Sequence, residues 1–288
     1  MSNTNGIAPT TSTFDWSNLE TYMNQTHRAL GLLTVLLLLL SPTLTVTAQQ
    51  ANNEYETAAV LWMQTSGERA ALSYQAFSLA RMMLDRDLRT RSRMKRAVIV
   101  DIDETIMDNS RNQAWLIKNQ QSYNDENWLA WVNRAEATAI PGAVEFLNYA
   151  SSRGVRVFYI TNRKVAEKEG TATNLRKLGF PHVNDETLLI RTDPKSSSKE
   201  PRRQSVGAKY RVVLLMGDNL NDFSDVFENA KTSAGRLTVA EQNKAKFGSR
   251  FIVLPNPMYG DWENAIYDYN FKLSEAEKDA KRKAALKE

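Results

Sequence analysis

The chain has 288 residues, with 37 basic and 33 acidic side chains, 2 histidines and no cysteine. The apolar share of 42% and the charged share of 24% are those of an ordinary globular protein, and the length suits one large domain or two small ones. The absence of cysteine excludes disulfides, thiol nucleophiles and cysteine-ligated metal centres. Basic and acidic residues are interleaved, so the net charge of +4 does not predict a nucleic-acid partner.

A short apolar run near the amino terminus predicts a secretory signal peptide. The run from Ala29 to Leu40 is shorter than the roughly 20 residues that span a bilayer, and small residues favour cleavage after Ala48. We expect residues 23–48 to be the signal and residues 1–22 to derive from an upstream start codon or to be disordered. The mature protein would then be secreted or periplasmic, without a stable membrane anchor. An uncleaved anchor is the alternative; a lipoprotein is not expected, because no cysteine is present.

The region that follows is predicted to be helical. Between residues 56 and 90, apolar residues recur at the spacing of one helix face, namely Leu72, Ala76, Leu79 and Met83. This periodicity predicts a stripe buried against a core. We therefore assign residues 49–95 to an N-terminal helical segment that packs on the main domain.

Beyond this segment the pattern changes to short apolar runs rich in β-branched residues. They predict strands at 97–102, 155–160, 188–190, 212–216 and 251–254. The stretches between them predict helices at 115–139, 142–153 and 165–178, the last ending before Gly179. Buried strands that alternate with helices predict an α/β fold with a doubly wound, mainly parallel sheet.

We place this core at residues 96–270, with a small helical cap or subdomain inserted at about 107–140. The charged tail, residues 271–288, is predicted to be a solvated C-terminal helix. No repeat or low-complexity segment is visible in the mature chain.

Polar clusters stand where the predicted strands end. They are Asp101–Thr105, Thr161–Arg163, the basic loop Arg191–Arg203, and Gly217–Asp222. Ligands of such sheets bind at the carboxyl ends of the strands, so these clusters should meet in one cleft. Each alone is a common turn or helix cap, whereas their combination in this order is specific.

The chemistry of these clusters favours phosphate transfer. Carboxylates of Asp101, Asp103 and Asp218 would form an all-oxygen site that suits Mg²⁺. A carboxylate beside such an ion can attack phosphorus, and a neighbouring acid can serve the leaving group and then water. Thr161, backbone amides and a lysine of the basic loop would hold the phosphoryl oxygens.

Longer motifs carry a family resemblance between about Trp62 and Trp262. They include W-M-Q-T-S-G-E, D-I-D-E-T-I-M-D-N-S, Y-I-T-N-R, M-G-D-N-L-N-D-F and P-N-P-M-Y-G-D-W-E. The chain resembles the haloacid-dehalogenase-like (HAD-like) superfamily and, within it, the class C acid phosphatases of the lipoprotein e type. The resemblance implies a HAD-like Rossmannoid core and a secreted, Mg²⁺-dependent phosphomonoesterase. Its substrates would include 5′-nucleotides, and its pH optimum would be acidic.

The resemblance also assigns the catalytic and phosphate-binding residues. Asp101 would be the nucleophile and Asp103 the general acid/base. Phosphate would be bound by Thr161, Asn162 and a lysine of the basic loop. Lys199 is preferred to Lys195 for that lysine, because it precedes the arginine pair at the family's usual distance.

Metal ligands and a substrate pocket follow from the same comparison of motifs. Mg²⁺ would be held by Asp101, the backbone carbonyl of Asp103, Asp218 and Asp222, the last directly or through water. Trp115 and Arg163 are candidate pocket residues. Trp115 could stack on a base or pack in the core, whereas core packing is favoured for Trp128.

The sequence departs from the family directly after D-N-S, where family members commonly have Pro-Tyr and this chain has Arg111 and Asn112. In the family that tyrosine lies near the substrate entrance, so the preferred leaving group is left open here. The expected partner is a small-molecule phosphomonoester, and assembly into homo-oligomers is left open. Alternative functions are a nucleotide-binding or uptake protein on the same fold, and a phosphotransferase that passes the aspartyl-phosphate to an alcohol.

Overall fold

The computed structural model describes residues 53–288. Its strands are β1 (Arg96–Val100), β2 (Met107–Asp108), β3 (Thr138–Ala139), β4 (Arg156–Ile160), β5 (Leu188–Leu189), β6 (Arg211–Gly217) and β7 (Phe251–Val253). A five-stranded sheet has the order β5-β4-β1-β6-β7, and every pairing within it is parallel. This sheet confirms the predicted α/β fold. The carboxyl ends of its strands lie along one edge.

Helices alternate with the strands. They are α1 (Thr57–Thr65), α2 (Gly67–Leu88), α3 (Ser110–Lys118), α4 (Asp125–Arg134), α5 (Ala143–Ser152), α6 (Lys168–Lys177), α7 (Glu200–Gly207), α8 (Asp225–Glu228), α9 (Ser233–Gln242), α10 (Asp261–Asn264) and α11 (Glu275–Ala284). Side chains of β1 alternate between the two faces of the sheet. Val98 and Val100 join a core with α2, α5 and α6, whereas Ala97 and Ile99 join a second core with α7 and α8. Both faces are therefore covered, which explains the continuous apolar strands.

The buried face of α2 differs from the predicted stripe. Ala76 is buried, but Leu72 is 42% exposed, and the side chains that fill the core are Phe77, Ala80 and Leu84. Leu79 and Met83 pack only at the margin of that core. The buried residues Ser73, Phe77, Ala80 and Leu84 have the same spacing as the predicted stripe, four, three and four residues. The buried face therefore lies one residue further along the helix than predicted.

The insertion after β1 is not the continuous helix predicted over 115–139. Helix α3 ends at Lys118 and α4 begins after Asn124, whose side chain accepts a hydrogen bond of 2.8 Å from the Asn127 backbone N–H. Thr138 and Ala139 form a strand that pairs with β2. The prediction is wrong in this region, because a capping side chain and a tertiary strand pairing outweigh the helical pattern.

The remaining predicted elements lie close to those observed. Helix α6 ends before Gly179, whose φ of 83° is the left-handed conformation that glycine adopts readily. The charged tail contains α11, and no residue of this helix is buried. None of the helices within residues 53–288 has the length and apolarity to cross a bilayer. The predictions for residues 1–22 and for the signal at 23–48 lie outside the described residues.

Candidate active site

Carboxylates from two neighbouring strands converge at the carboxyl edge of the sheet. Asp101 follows β1, and Asp218 and Asp222 follow β6. One oxygen from each of the three lies within 4.8 Å of the others, and Asp101 and Asp222 are buried. Asp222 can approach because Gly217 has no side chain: a Cβ there would lie 2.3 Å from Asp222 Oδ2. The strand order therefore assembles an all-oxygen group from residues more than a hundred positions apart in the chain.

Lys199 is the cation of this group. Its Nζ contacts Asp101 Oδ1 and lies 2.7 Å from Asp222 Oδ1, and the residue is 6% exposed. It stands at the N-cap of α7, which brings it over the strand ends. Lys195 is exposed, and among the described contacts only its backbone N–H bonds, to Asp193. The geometry thus brings Lys199, and not Lys195, to the carboxylates.

The three carboxylates of this group carry more negative charge than Lys199 alone can offset. Burial raises the pKa of Asp101, with Lys199 opposing and Asp222 adding to the rise. Burial likewise raises the pKa of Asp218 well above its ordinary value, with Asp222 and Asp101 contributing. A divalent cation would offset this repulsion, and hard oxygen donors without histidine or cysteine fit Mg²⁺ better than softer metals. The donor set is therefore compatible with the predicted metal.

Asp103 is held apart from that group by its own partners. Arg163 Nη2 donates to Asp103 Oδ1 at 2.7 Å, and Asn109 Nδ2 donates to the same oxygen at 2.9 Å. The Arg163 side chain is 2% exposed. Arg163 was predicted to line a substrate pocket, and the structure also makes it the ion-pair partner of Asp103.

The predicted phosphate-binding residues lie at the end of β4. Thr161 is fully buried, and its hydroxyl accepts a hydrogen bond of 3.1 Å from the Arg163 backbone N–H. Asn162 is exposed, and its Oδ1 accepts a 2.8 Å hydrogen bond from Arg202 Nη2. Arg202 also bonds the Thr161 carbonyl, so it ties this turn to the lysine-bearing helix. No sequence motif pointed to a role for Arg202.

Two further polar residues of the site were missed. The Thr105 hydroxyl lies 3.3 Å from Asp101 Oδ2 and 3.2 Å from Asp218 Oδ1. Asn256 follows β7 and donates a 2.8 Å hydrogen bond to Asp218 Oδ2. Asn256 could have been found by applying the strand-end argument to the fifth strand, and Thr105 belongs to the first polar cluster.

A cavity of about 760 Å³ opens beside Asp103. Its lining includes Asn162, Arg163, Tyr259, Tyr123 and Phe271. Trp115 lies on α3, is 42% exposed and is not among the lining residues. Trp128 is 9% exposed and contributes to the lining. The structure thus gathers Arg163 at the cavity but leaves Trp115 outside it.

Comparison with known proteins decides the family. The sequence model of the HAD superfamily, subfamily IIIB (Acid phosphatase), matches residues 23–262. The chain belongs to this acid phosphatase family. The resemblance stated from its motifs is thereby confirmed.

Solved structures agree with this assignment. The class C acid phosphatase from Bacillus anthracis with tungstate bound is 43% identical, with a TM-score of 0.79; the match covers 82% of this chain and 98% of that one. A second structure of the Bacillus anthracis class C acid phosphatase is 44% identical, with a TM-score of 0.78 over 81% of this chain and 97% of that one. Among curated proteins, the stem 31 kDa glycoprotein of Glycine max is 25% identical over 56% of this chain. The match spans 58% of that glycoprotein's length.

Glu56 lines the cavity, and its raised pKa leads us to expect that the stability of the folded protein depends on pH. Burial raises the pKa of Glu56 from 4.5 to about 7; the Tyr55 hydrogen bond opposes this and Glu263 adds to it. The folded protein therefore keeps a proton that the unfolded chain releases at lower pH, and stability falls as pH rises between these values. The Tm of Glu56→Gln relative to wild type should increase over that range. A difference independent of pH would contradict the prediction.

Proposed function

We propose that the protein is a secreted, Mg²⁺-dependent phosphomonoesterase that works through an aspartyl-phosphate on Asp101. One observation carries the proposal: three carboxylates and Lys199 converge at the strand ends of a chain that belongs to an acid phosphatase family. The expected substrates are small phosphomonoesters, including 5′-nucleotides.

The first step transfers the phosphoryl group to the protein. An oxygen of Asp101 attacks phosphorus, the P–O bond to the leaving group breaks, and its electron pair leaves with that oxygen. Asp103 supplies the proton that the departing oxygen needs. Thr161, Asn162 and Lys199 hold the phosphoryl oxygens and offset their charge. Asp101, Asp218 and Asp222 would hold Mg²⁺, which when bound would offset negative charge and help to orient the phosphate.

The second step returns Asp101 to its free state. Asp103, deprotonated by the first step, takes a proton from the water that attacks phosphorus. The P–O bond to Asp101 breaks, phosphate leaves, and Asp103 again carries its proton, so the cycle balances. The same acid therefore serves both steps.

The tungstate of the Bacillus anthracis structure supports the phosphate-binding part of this proposal. Tungstate is a tetrahedral oxyanion like phosphate, and the fold that binds it there matches this chain over most of its length. The same type of oxyanion would be held at the strand ends here. Tungstate should accordingly inhibit hydrolysis in competition with substrate.

Metal removal tests the proposal. Hydrolysis of p-nitrophenyl phosphate at mildly acidic pH is expected to disappear on dialysis against a chelator and to return with Mg²⁺, because the three carboxylates Asp101, Asp218 and Asp222 need a second cation beside Lys199 to offset their charge. Mg²⁺ should also raise the Tm of the chelated protein, since it binds the folded state. Full activity in chelator would contradict a metal-dependent mechanism.

Product analysis separates the alternative functions. Hydrolysis releases phosphate and p-nitrophenol in equal amounts, whereas a phosphotransferase given glycerol releases less phosphate than p-nitrophenol. A nucleotide-binding or uptake protein would bind 5′-nucleotides without releasing phosphate. The carboxylate pair Asp101 and Asp103 favours hydrolysis over simple binding, because both reactive groups of the two steps are present.

A further inference from the structure

The two oxygens of the Asp103 carboxylate have unequal surroundings. Oδ1 accepts hydrogen bonds from Arg163 Nη2 at 2.7 Å, from Arg163 Nε at 3.1 Å and from Asn109 Nδ2 at 2.9 Å. Oδ2 has one longer contact, 3.2 Å from Arg163 Nε. The single Nε–H of Arg163 is shared between the two oxygens, whereas Arg163 Nη2 and Asn109 Nδ2 donate to Oδ1 alone. A carboxylate oxygen has two lone pairs, so these two donors occupy Oδ1. Among the described contacts Oδ2 has only the shared one, which leaves it a free lone pair.

We propose that Arg163 is a positioning residue that, with Asn109, anchors Asp103 through Oδ1 and leaves Oδ2 as the oxygen that acts on the leaving group. This inference rests on the proposed function, since it assumes that Asp103 is the acid of the first step. It assigns the P–O bond-breaking step a specific atom: the departing oxygen takes its proton from Oδ2, and Oδ2 later takes one from the attacking water.

Arg163 and Asn109, which anchor Asp103, are themselves held in place by further contacts. Arg163 Nη1 donates to Thr171 Oγ1 at 2.9 Å, and its guanidinium lies 5.2 Å from the centroid of the Trp128 ring. Trp131 Nε1 donates to Asn109 Oδ1 at 2.9 Å. Both tryptophans are on α4, within the helical insertion. The insertion thus supports the position of the acid, a role that its sequence alone does not reveal.

Leaving groups of different basicity distinguish this role from a merely structural one. A p-nitrophenolate ion leaves without a proton, whereas an alkoxide needs one as the P–O bond breaks. The value of kcat/KM reports the steps up to departure of the leaving group, whereas the water step that follows is common to all substrates and affects kcat. A misplaced acid should therefore lower kcat/KM for an alkyl phosphate and leave kcat/KM for p-nitrophenyl phosphate nearly unchanged. A general loss of folding would slow both to the same extent.

The experiment compares Arg163→Gln with Arg69→Gln in the full chain. Arg69 is a matched control because it is also a buried arginine in an ion pair, to Asp108 at 2.8 Å. For Arg163→Gln, kcat/KM for glycerol 3-phosphate is expected to fall by roughly 10²-fold more than kcat/KM for p-nitrophenyl phosphate, the usual contribution of a general acid. Arg69→Gln should leave the ratio of the two kcat/KM values at the wild-type value.

A milder variant keeps the inference testable where Arg163→Gln does not fold. Trp131→Phe removes the N–H that orients Asn109 while Arg163 stays in place, so it should shift the kcat/KM ratio in the same direction by a smaller factor. An unchanged ratio in Arg163→Gln, or in Trp131→Phe when that variant alone folds, would overturn the inference. Failure of the proposed function would appear differently, as a wild-type protein that hydrolyses neither substrate.

Discussion

Asp101→Asn is expected to abolish hydrolysis while leaving the protein folded. A carboxamide has nearly the same shape as the carboxylate but cannot attack phosphorus, so kcat should fall by roughly 10⁴-fold or more, as when a covalent nucleophile is removed. Burial raises the pKa of Asp101 and Lys199 opposes this rise. Lys199 also lies 2.7 Å from Asp222 and would keep that buried partner in the variant, so the Tm of Asp101→Asn is expected to stay close to that of wild type.

Steady-state kinetics and thermal unfolding of the same preparation make this prediction decisive. Asp185→Asn is the matched control, because the Asp185 side chain is 94% exposed and pairs only with Lys168 among the described ion pairs. It should retain wild-type kcat. Acid quenching during turnover should trap phosphate on wild type and none on Asp101→Asn. Substantial turnover by Asp101→Asn would exclude the covalent mechanism.

Lys199→Gln is expected to damage both catalysis and stability. The variant loses a positive charge beside the reacting phosphate, so kcat at saturating Mg²⁺ should fall by roughly 10²- to 10³-fold. It also leaves Asp101 and Asp222 without their buried partner. Removing one member of a buried ion pair costs roughly 3–5 kcal/mol. Chemical denaturation in chelator should therefore show a clear loss in the free energy of unfolding.

Lys195→Gln is the control that the sequence itself provides. Lys195 lies in the same loop but is exposed and has no side-chain partner among the described contacts. Its substitution should change neither kcat nor the free energy of unfolding, since exposed charges contribute little. If Lys195→Gln were the inactive variant and Lys199→Gln the active one, the assignment made from the geometry would be reversed.

Local patterns were sufficient to predict the sheet and the acidic edge. The run Ala97–Val100 is apolar at every position, and it leads directly into Asp101 and Asp103. Such a strand must be buried on both faces, and the polar residues that follow it must lie at the sheet's edge. The same reasoning applied to β7 would have found Asn256.

Other features depend on contacts that no local pattern records. Arg163 and Asp103 are 60 positions apart, and their pairing needs β4 beside β1. The start of α4 depends on the cap at Asn124, and the end of the insertion as a strand depends on the pairing of Thr138 and Ala139 with β2. Sequence periodicity reports one segment at a time, whereas these features follow from packing between segments.

The sequence by itself determined the fold class and the family, and it pointed to the residues proposed to carry the phosphate chemistry. Short apolar runs and the motifs directly after them contain this information. Only the tertiary structure decided which lysine meets Asp101 and which oxygen of Asp103 stays free. Both depend on the separation of a few ångströms between groups on different strands. That separation is fixed by strand order and core packing, which a linear pattern of residues does not contain.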